Sequence, residues 1–294
     1  MNTHEIASDD NPGFATIAAG RLEYAEMAVD LALSLREHHD NPVCLVADDT
    51  CGQHVRRRYP GVFDLIADLP PRFDMRSTAM KFCLAEAVPY ANAIFIDADT
   101  LVLSPLDKVI EQTLRHDFIM MGSFLLPDTN KKHHGYSVRM LIREFALEHY
   151  FTNHSGAFGY NRDYAASFLD DCIALYRNEL YTLRNRMRGV VCDEIAFGIV
   201  AARRGMTQMS KPFPVMWGVE LAEFDPGDIR KPLCHFHRPV SPAGLDWLMD
   251  EVKRRRLAQG LPAVSEKVWR EQSGNHMRKA FYKLLGNVLP LAKR

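Results

Sequence analysis

The chain has 294 residues, of which 47% are hydrophobic and 25% are charged, as in an ordinary soluble globular protein. Its formal net charge of −1 argues against a general nucleic-acid binder. It contains no apolar run of about 18 residues, and the polar, acidic segment 1–12 lacks the pattern of a signal peptide. Six cysteines lie scattered in mainly apolar surroundings. They predict reduced thiols and a cytoplasmic protein.

The first elements follow the pattern of a βαβ unit. Residues 14–18 form a short apolar run that predicts a strand, and apolar residues at helical spacing from Tyr24 predict a helix that reaches about His38. Residues 43–47 predict a second buried strand. A strand, a helix and a strand within about 35 residues are typical of a parallel α/β sheet. Ligands in such sheets bind beyond the carboxyl ends of the strands.

The later part of the chain shows weaker hydrophobic periodicity, but strands and helices continue to alternate. We expect a loose segment at 56–76, a short helix at 79–87, strands at 93–96, 118–122 and 157–160, a polar loop at 127–135, and helices at 164–180, 194–202 and 242–258. Ser104 with Pro105, and Ser241 with Pro242, predict helix starts. The sequence therefore predicts one α/β domain, 1–240, with a mixed, mainly parallel sheet flanked by helices. A basic, helical C-terminal appendage, 241–294, follows it.

Two carboxylates stand directly after the strand at 93–96. Asp97 and Asp99, separated by Ala98, follow four apolar residues. Both can reach a single ion if the chain turns there, and Mg²⁺ and Mn²⁺ prefer oxygen ligands from carboxylates and substrate phosphates. On a diphosphate, such an ion neutralises the charge that develops on the leaving group. The pair therefore predicts a metal site for a phosphate-containing ligand.

Other interpretations of these motifs stay open. Aspartates often cap turns without binding a metal. An aspartyl-phosphate phosphatase also carries Asp-x-Asp after a strand, but it expects Thr or Val where Leu101 stands here. Cys234, His235 and His237 suggest zinc, although structural zinc needs four ligands at recognisable spacing. The histidine pair at 133–134 lies in a polar loop, where we expect it to be exposed.

With these motifs in view, residues 78–103 resemble the GT-A glycosyltransferases of family 8, which include glycogenin and bacterial lipopolysaccharide galactosyltransferases. The match pairs Lys81, in a short helix, with a strand that ends Asp-Ala-Asp-Thr-Leu-Val-Leu. Weaker similarity extends from about residue 14 to about residue 237. The resemblance implies a Rossmann-like GT-A fold, Mn²⁺ or Mg²⁺ as cofactor, and a nucleotide-sugar donor, in the first place a UDP-sugar. It also implies transfer of a hexose, with retention, to a glycan, glycolipid or protein hydroxyl.

The resemblance assigns roles residue by residue. The nucleoside is expected to contact Ala18, Ala19 and Tyr24, and the metal is expected to bind Asp97, Asp99 and His235. The residues expected to contact the donor sugar and its phosphates are Lys81, Ala98, Asn153, His154, Ser155, Gly156 and Arg238. The catalytic residues are expected to be Asp193, Glu194 and Lys81. Three positions depart from the family pattern. The asparagine of the sugar pocket is displaced by one place, so that either Asn153 or His154 serves. Glu194 stands where glutamine is usual, and Ser241 replaces a phosphate-binding lysine. Arg238 is the nearest cationic substitute for that lysine.

The C-terminal segment is markedly basic. Cationic residues recur at 253–256, 267, 270, 278, 279, 283, 293 and 294, with aromatic and aliphatic residues between them. This pattern suits an anionic membrane surface, and equally an amphipathic helix packed on the domain. Two other functions stay open: a catalytically silent nucleotide-sugar-binding module and a sugar-nucleotidyltransferase. For the latter, the segment 18–21 is too short to be the expected Gly-rich phosphate loop.

Overall fold

Strands and helices alternate along the computed structural model, which describes residues 11–73, 78–180, 182–183, 192–206, 213–217, 220–221, 225–226, 228–236, 240–263 and 267–272. The strands are β1 Gly13–Ala18, β2 Val43–Ala47, β3 Leu65–Asp68, β4 Asn92–Ile96, β5 Thr100–Val102, β6 Phe118–Leu125, β7 Lys132–His133, β8 Tyr136–Ser137, β9 Tyr150–Asn161, β10 Val215–Trp217 and β11 Leu233–His235. The helices are α1 Leu22–Arg36, α2 Asp49–Arg58, α3 Leu84–Ala87, α4 Asp107–Arg115, α5 Val138–Glu144, α6 Arg162–Leu175, α7 Asp193–Arg203 and α8 Pro242–Ala258. The 3-10 turns Pro71–Phe73 and Thr78–Cys83, a π-helical turn Tyr176–Leu180 after α6, and a helical stretch at 267–272 are also present.

The main sheet has six strands in the order β3-β2-β1-β4-β9-β6. The strands β3, β2, β1 and β4 are parallel, whereas β9 pairs antiparallel with both β4 and β6. The predicted mixed, mainly parallel sheet flanked by helices is therefore confirmed. Because β1, β2 and β4 run in the same direction, their carboxyl ends share one edge of the sheet, where ligands bind in folds of this kind.

Hydrophobic cores cover both faces of this sheet. One core joins α1, α2, α4, the β10–β11 pair and α8, and the other joins α3, α5, α6 and α7. All five residues of β2 are buried, because a central parallel strand is covered by helices on both sides. All six cysteines are free thiols with buried side chains. This agrees with the reduced state that the sequence predicts.

A turn at 97–100 carries the chain out of the main sheet. The Thr100 N–H donates to the Asp97 carbonyl at 3.1 Å, and β5 then joins a second sheet in the order β10-β11-β5. In the antiparallel β5–β11 register, His235 lies opposite Thr100. The Phe236 N–H donates to the Asp99 carbonyl at 2.9 Å. These backbone bonds hold His235 beside a turn that is distant from it in sequence.

The prediction of a loose segment at 56–76 is wrong in part, since α2 extends to Arg58 and β3 follows it. The local signal for α2 is Asp48, whose Oδ1 accepts the Cys51 N–H at 2.8 Å as an N-cap. This helix buries only three residues, so it carries too few apolar positions for hydrophobic periodicity to reveal it. The strand β3 is a half-exposed edge strand, which weakens its pattern in the same way.

Several predicted boundaries also differ from the structure. The helix α4 begins at Asp107 and not at Ser104, because His39 Nε2 accepts the Leu106 N–H at 2.8 Å. The short helix at 79–87 is a 3-10 turn that leads into α3, and the helix at 164–180 becomes a π-helical turn after Leu175. The strand at 157–160 is the end of the 12-residue β9, whose earlier part carries polar side chains. The expected loop at 127–135 includes part of the β7–β8 hairpin.

The C-terminal helix α8 packs against α1. Ser241 Oγ accepts the Gly244 N–H at 3.2 Å, so the predicted start of this helix is confirmed. Arg255 and Arg256 of α8 are buried, and Arg256 bonds to Asp30 of α1. The domain boundary near residue 240 stays a prediction. Within the described ranges, no helix combines the length and the apolar character needed to cross a bilayer.

Candidate functional site

The two aspartates of the Asp-x-Asp motif lie at the carboxyl end of β4. The Asp97 N–H donates to the Gly156 carbonyl at 2.8 Å, which ties the start of the turn to β9. One potential ligand atom from each of Asp97, Asp99 and His235 lies within 4.8 Å of the other two. Oxygen, oxygen and imidazole nitrogen form a donor set that suits a divalent ion such as Mn²⁺. The structure thus brings together the three side chains that the resemblance names as metal ligands.

Lys81 is the cation that faces Asp97. Its Nζ lies 2.9 Å from Asp97 Oδ1 and 3.4 Å from Asp193 Oδ2, and it donates to Ser155 Oγ at 3.0 Å. Burial lowers the pKa of Lys81, but the two carboxylates outweigh burial and raise that pKa above its ordinary value. Burial raises the pKa of Asp97 against the attraction of Lys81, and the Asp99 carboxylate raises it further. Lys81 is therefore a buried ammonium shared between two carboxylates.

Asp99 pairs with His235 instead. His235 Nε2 lies 3.0 Å from Asp99 Oδ1 and 3.8 Å from Asp97 Oδ2. Burial works to raise the pKa of Asp99, but the His235 ring outweighs it and holds that pKa well below its ordinary value. Conversely, burial lowers the pKa of His235 and Asp99 raises it, with a net increase. Gln272 Nε2 donates to the other oxygen, Asp99 Oδ2, at 3.1 Å.

Ser155 connects this cluster to the start of α7. Its Oγ donates to Asp193 Oδ2 at 2.6 Å, and its N–H donates to Glu194 Oε1 at 3.0 Å. The Asn153 amide donates to the Glu194 carbonyl at 2.8 Å. Asn153 and Ser155 therefore face α7, while His154 points to the opposite side of β9, as the period of two in a strand requires. The His154 ring centroid lies 5.0 Å from that of His235.

Glu194 has two histidine partners that the sequence did not connect to it. His134 Nε2 makes a short hydrogen bond to Glu194 Oε2, and His133 Nε2 lies 3.5 Å from the same oxygen. Burial raises the pKa of Glu194, but hydrogen bonds with His133 and His134 outweigh burial and hold this pKa far below its ordinary value. Burial lowers the pKa of His134, whereas hydrogen bonds to Cys192 and Glu194 raise it to about 10. Glu194 is therefore ionised and paired with a protonated ring at neutral pH.

The predicted exposure of the histidine pair is wrong for His133, whose side chain is 12% exposed. Tyr150 Oη lies 2.8 Å from its Nδ1, and the Asn153 carbonyl lies 3.2 Å from its Nε2. A carbonyl only accepts, so Nε2 donates to the Asn153 carbonyl. The ligand atoms of His133, His134 and Glu194 lie within 4.8 Å of one another, and the contacts with Tyr150 and Asn153 involve both ring nitrogens of His133. His134 reaches Glu194 through a left-handed backbone conformation, φ +48°.

The remaining predicted residues line the same edge of the sheet or fall outside the described part. Ala18 ends β1, Ala19 follows it, and the Gly20 N–H donates to Asp48 Oδ2 at 2.6 Å, which closes the turn into α1. Tyr24 is partly buried, and after burial the nearby Asp99 charge is the largest cause that raises its pKa. Ala98 is buried within the turn at 97–100, and Gly156 lies beside the rings of His154 and His235. Arg238 lies outside the described residues.

Comparisons with known proteins support the fold. No family model matches the chain, and no curated protein matches it in sequence. Among solved structures, the galactosyltransferase LgtC in complex with donor and acceptor sugar analogues matches with a TM-score of 0.52 at 11% identity, over 90% of this chain and 96% of that chain. An LgtC active-site mutant, in which glutamate replaces glutamine, matches with a TM-score of 0.52 at 13% identity, over 88% and 99% of the two chains.

The bifunctional glycosyltransferase WbbM, in its apo structure, matches with a TM-score of 0.54 at 10% identity. The match covers 86% of this chain but only 53% of WbbM, so the chain spans about half of that protein. At these identities the likeness concerns the fold alone. It confirms that the chain has the GT-A fold of glycosyltransferases, as the resemblance at 78–103 implies.

Proposed function

We propose that the chain is a metal-dependent glycosyltransferase that moves a hexose from a UDP-sugar to a hydroxyl group of a glycan, glycolipid or protein, with retention of configuration. The observation that carries this proposal is the convergence of Asp97, Asp99 and His235 at the carboxyl edge of a GT-A sheet. The hexose, the UDP-sugar and retention come from the family resemblance. The description of LgtC as a galactosyltransferase supports the hexose.

The donor set fits a hard divalent cation. Asp97 and Asp99 are two carboxylates on one turn, with Lys81 2.9 Å from Asp97 and His235 3.0 Å from Asp99. An ion held by Asp97, Asp99 and His235 would neutralise the diphosphate leaving group. Mn²⁺ suits the mixed oxygen and nitrogen ligands, and Mg²⁺ is the alternative. We assign the nucleoside to the β1 end, at Ala18, Ala19 and Tyr24.

The protein side chains around this centre have separable roles. Lys81 is buried and protonated, so it stabilises negative charge on the donor as the diphosphate leaves. Ser155 donates to Asp193 and fixes this carboxylate, which we assign to the donor-sugar pocket. Glu194 remains ionised and is held by Ser155 and His134, so it is a fixed acceptor for sugar hydroxyl groups. We assign further phosphate contact to Arg238 from the sequence alone.

We also propose that the protein acts in the cytoplasm, against the anionic face of a membrane. The support is the basic C-terminal sequence together with Lys267, which is 85% exposed. Arg255 and Arg256 do not contribute, because both are buried against α1 and its C-terminal end. The surface for this contact is therefore expected to begin beyond α8.

A nucleotide-sugar screen tests the enzymatic proposal. Thermal unfolding is followed with UDP-, GDP- and CDP-sugars, with and without Mn²⁺, and donor hydrolysis is measured for each sugar that stabilises the protein. We expect stabilisation by a UDP-sugar that requires Mn²⁺. The double variant Asp97→Asn/Asp99→Asn should lose both stabilisation and hydrolysis, whereas Asp117→Asn, at an exposed position, should retain both.

The outcomes of this screen separate the candidate functions. A protein that no nucleotide-sugar stabilises is not a glycosyltransferase of this kind. A protein that binds the donor but releases no nucleotide, even with an acceptor mixture, is the silent binding module. A nucleotidyltransferase instead consumes a nucleoside triphosphate and a sugar phosphate. A fully active Asp97→Asn/Asp99→Asn variant would contradict the metal site itself.

A further inference from the structure

The helical stretch at 267–272 touches the metal-site turn. Gln272 Nε2 donates to Asp99 Oδ2 at 3.1 Å, across 173 residues of sequence. The other carboxylate oxygen, Oδ1, lies 3.0 Å from His235 Nε2, and the Asp99 carbonyl accepts from the Phe236 N–H at 2.9 Å. Asp99 is thus held on its backbone and on both carboxylate oxygens. The contact to Oδ2 comes from the C-terminal segment.

The stretch that carries Gln272 is firmly anchored. Trp269 is 0% exposed, its Nε1–H donates to Asp30 Oδ2 at 2.8 Å, and its ring centroid lies 4.4 Å from that of Phe236. Arg256 of α8 bonds to the other oxygen, Asp30 Oδ1, at 2.5 Å. Both parts of the C-terminal segment therefore meet at one buried carboxylate of α1. Gln272 is placed by these buried contacts and not by a loose surface interaction.

We propose that Gln272 is a positioning residue of the metal centre, and that the stretch at 267–272 belongs to the donor site because it carries this residue. This inference rests on the proposed metal-dependent function. A carboxylate that binds an ion through one oxygen must be held against rotation, and a hydrogen bond to its other oxygen does this. Gln272, from the C-terminal segment, then orients Asp99, and β11 contributes the third metal ligand, His235.

The chemistry of the side chain suits this role. The carboxamide of Gln272 is neutral, so it orients Asp99 without cancelling the negative charge that attracts the cation. Lys81 differs, because its ammonium competes with a metal for the charge of Asp97. Loss of an outer partner of a metal ligand typically weakens metal binding by about 10–100-fold.

The variant Gln272→Met separates positioning from packing. Methionine has a similar length and volume but no N–H, so it can fill the same space while it removes the hydrogen bond to Asp99. Mn²⁺ affinity is measured by the electron paramagnetic resonance signal of free Mn²⁺, on full-length protein without donor. Glu271→Ala is the matched control, since Glu271 is exposed on the same stretch and pairs only loosely with Lys267, at 3.8 Å.

We expect the Kd for Mn²⁺ to rise by about 10-fold or more in Gln272→Met, and to stay within twofold of wild type in Glu271→Ala. The thermal unfolding midpoint of the metal-free protein should be the same in both variants within a few degrees. Gln272→Ala should repeat the loss of affinity. Wild-type Mn²⁺ affinity in Gln272→Met overturns the inference and leaves the proposed function standing. A wild-type chain that binds no Mn²⁺ overturns both.

Discussion

Removal of Arg256 tests the buried charge cluster that fixes the C-terminal segment to α1. The guanidinium is fully buried, with Nε 2.5 Å from Asp30 Oδ1 and Nη2 2.9 Å from Glu26 Oε2. In Arg256→Ala both carboxylates lose their shared cation. Asp30 keeps the Trp269 N–H, and Glu26 keeps the Tyr59 hydroxyl, so neither is left without a hydrogen bond. Breaking a buried pair from one side costs about 3–5 kcal/mol, and we expect about 4 kcal/mol here.

Urea and thermal denaturation measure this loss. At roughly 2–4 °C per kcal/mol for a chain of this size, the unfolding midpoint should fall by about 8–16 °C. Arg254→Ala is the control on the same helix, because Arg254 is 53% exposed and pairs with Glu37 and Glu251 at the surface. An exposed network of this kind contributes about 1 kcal/mol or less. If the two variants lose the same free energy of unfolding within about 1 kcal/mol, the buried cluster does not have the role assigned to it.

Three further predictions concern the site and the C-terminal segment. In Lys81→Met, Asp97 loses the ammonium 2.9 Å away, so the metal-free protein should be less stable by about 3 kcal/mol. Mn²⁺ should then raise the unfolding midpoint of this variant more than that of wild type, and equal shifts would contradict the pairing of Lys81 with Asp97. In Gly156→Ala, the new Cβ would lie 2.7 Å from His235 Cε1, so the imidazole ring must move. Mn²⁺ affinity, measured by electron paramagnetic resonance, should fall about 10-fold. Unchanged Mn²⁺ binding would show that the ring moves without loss of the metal site. The full chain should sediment with vesicles of anionic lipid, and a chain that ends at Gln272 should not; equal sedimentation of both would remove the membrane proposal.

Local pattern was enough to predict the elements that carry the metal motif. The apolar run before Asp97 identifies β4, and the period of its neighbours identifies β1, α1 and β2. Ser241 and Pro242 mark the start of α8 correctly, because the cap is made within one turn of the chain. The same reasoning predicts a helix start at Ser104, and there the prediction is wrong, because α4 begins at Asp107. His39, from another part of the chain, accepts the N–H that a local cap would have taken.

The charge networks of the site were beyond such local reasoning. The bond between Asp99 and Gln272 spans 173 residues, and that between Asp30 and Arg256 spans 226 residues. No spacing rule connects such positions, and Asp30 reads from sequence as an ordinary polar residue of an amphipathic helix. The pairing of His134 with Glu194 depends on a left-handed backbone conformation in a hairpin. The following glycine is the one local hint of that turn.

Five of the buried cysteines are nearly unreactive toward thiol reagents in the native chain. Burial raises the pKa of Cys44, Cys51 and Cys83 to about 12 each, and it raises the pKa of Cys172 and Cys234 as well. At neutral pH the thiolate fraction at a pKa near 12 is about 10⁻⁵, and the thiolate is the reactive form. Alkylation of these residues therefore reports the opening of the fold around them. A single cysteine introduced at the exposed Leu257 would accept a spin label with little background from these five cysteines. The distance from that label to bound Mn²⁺ would report the position of α8 in solution.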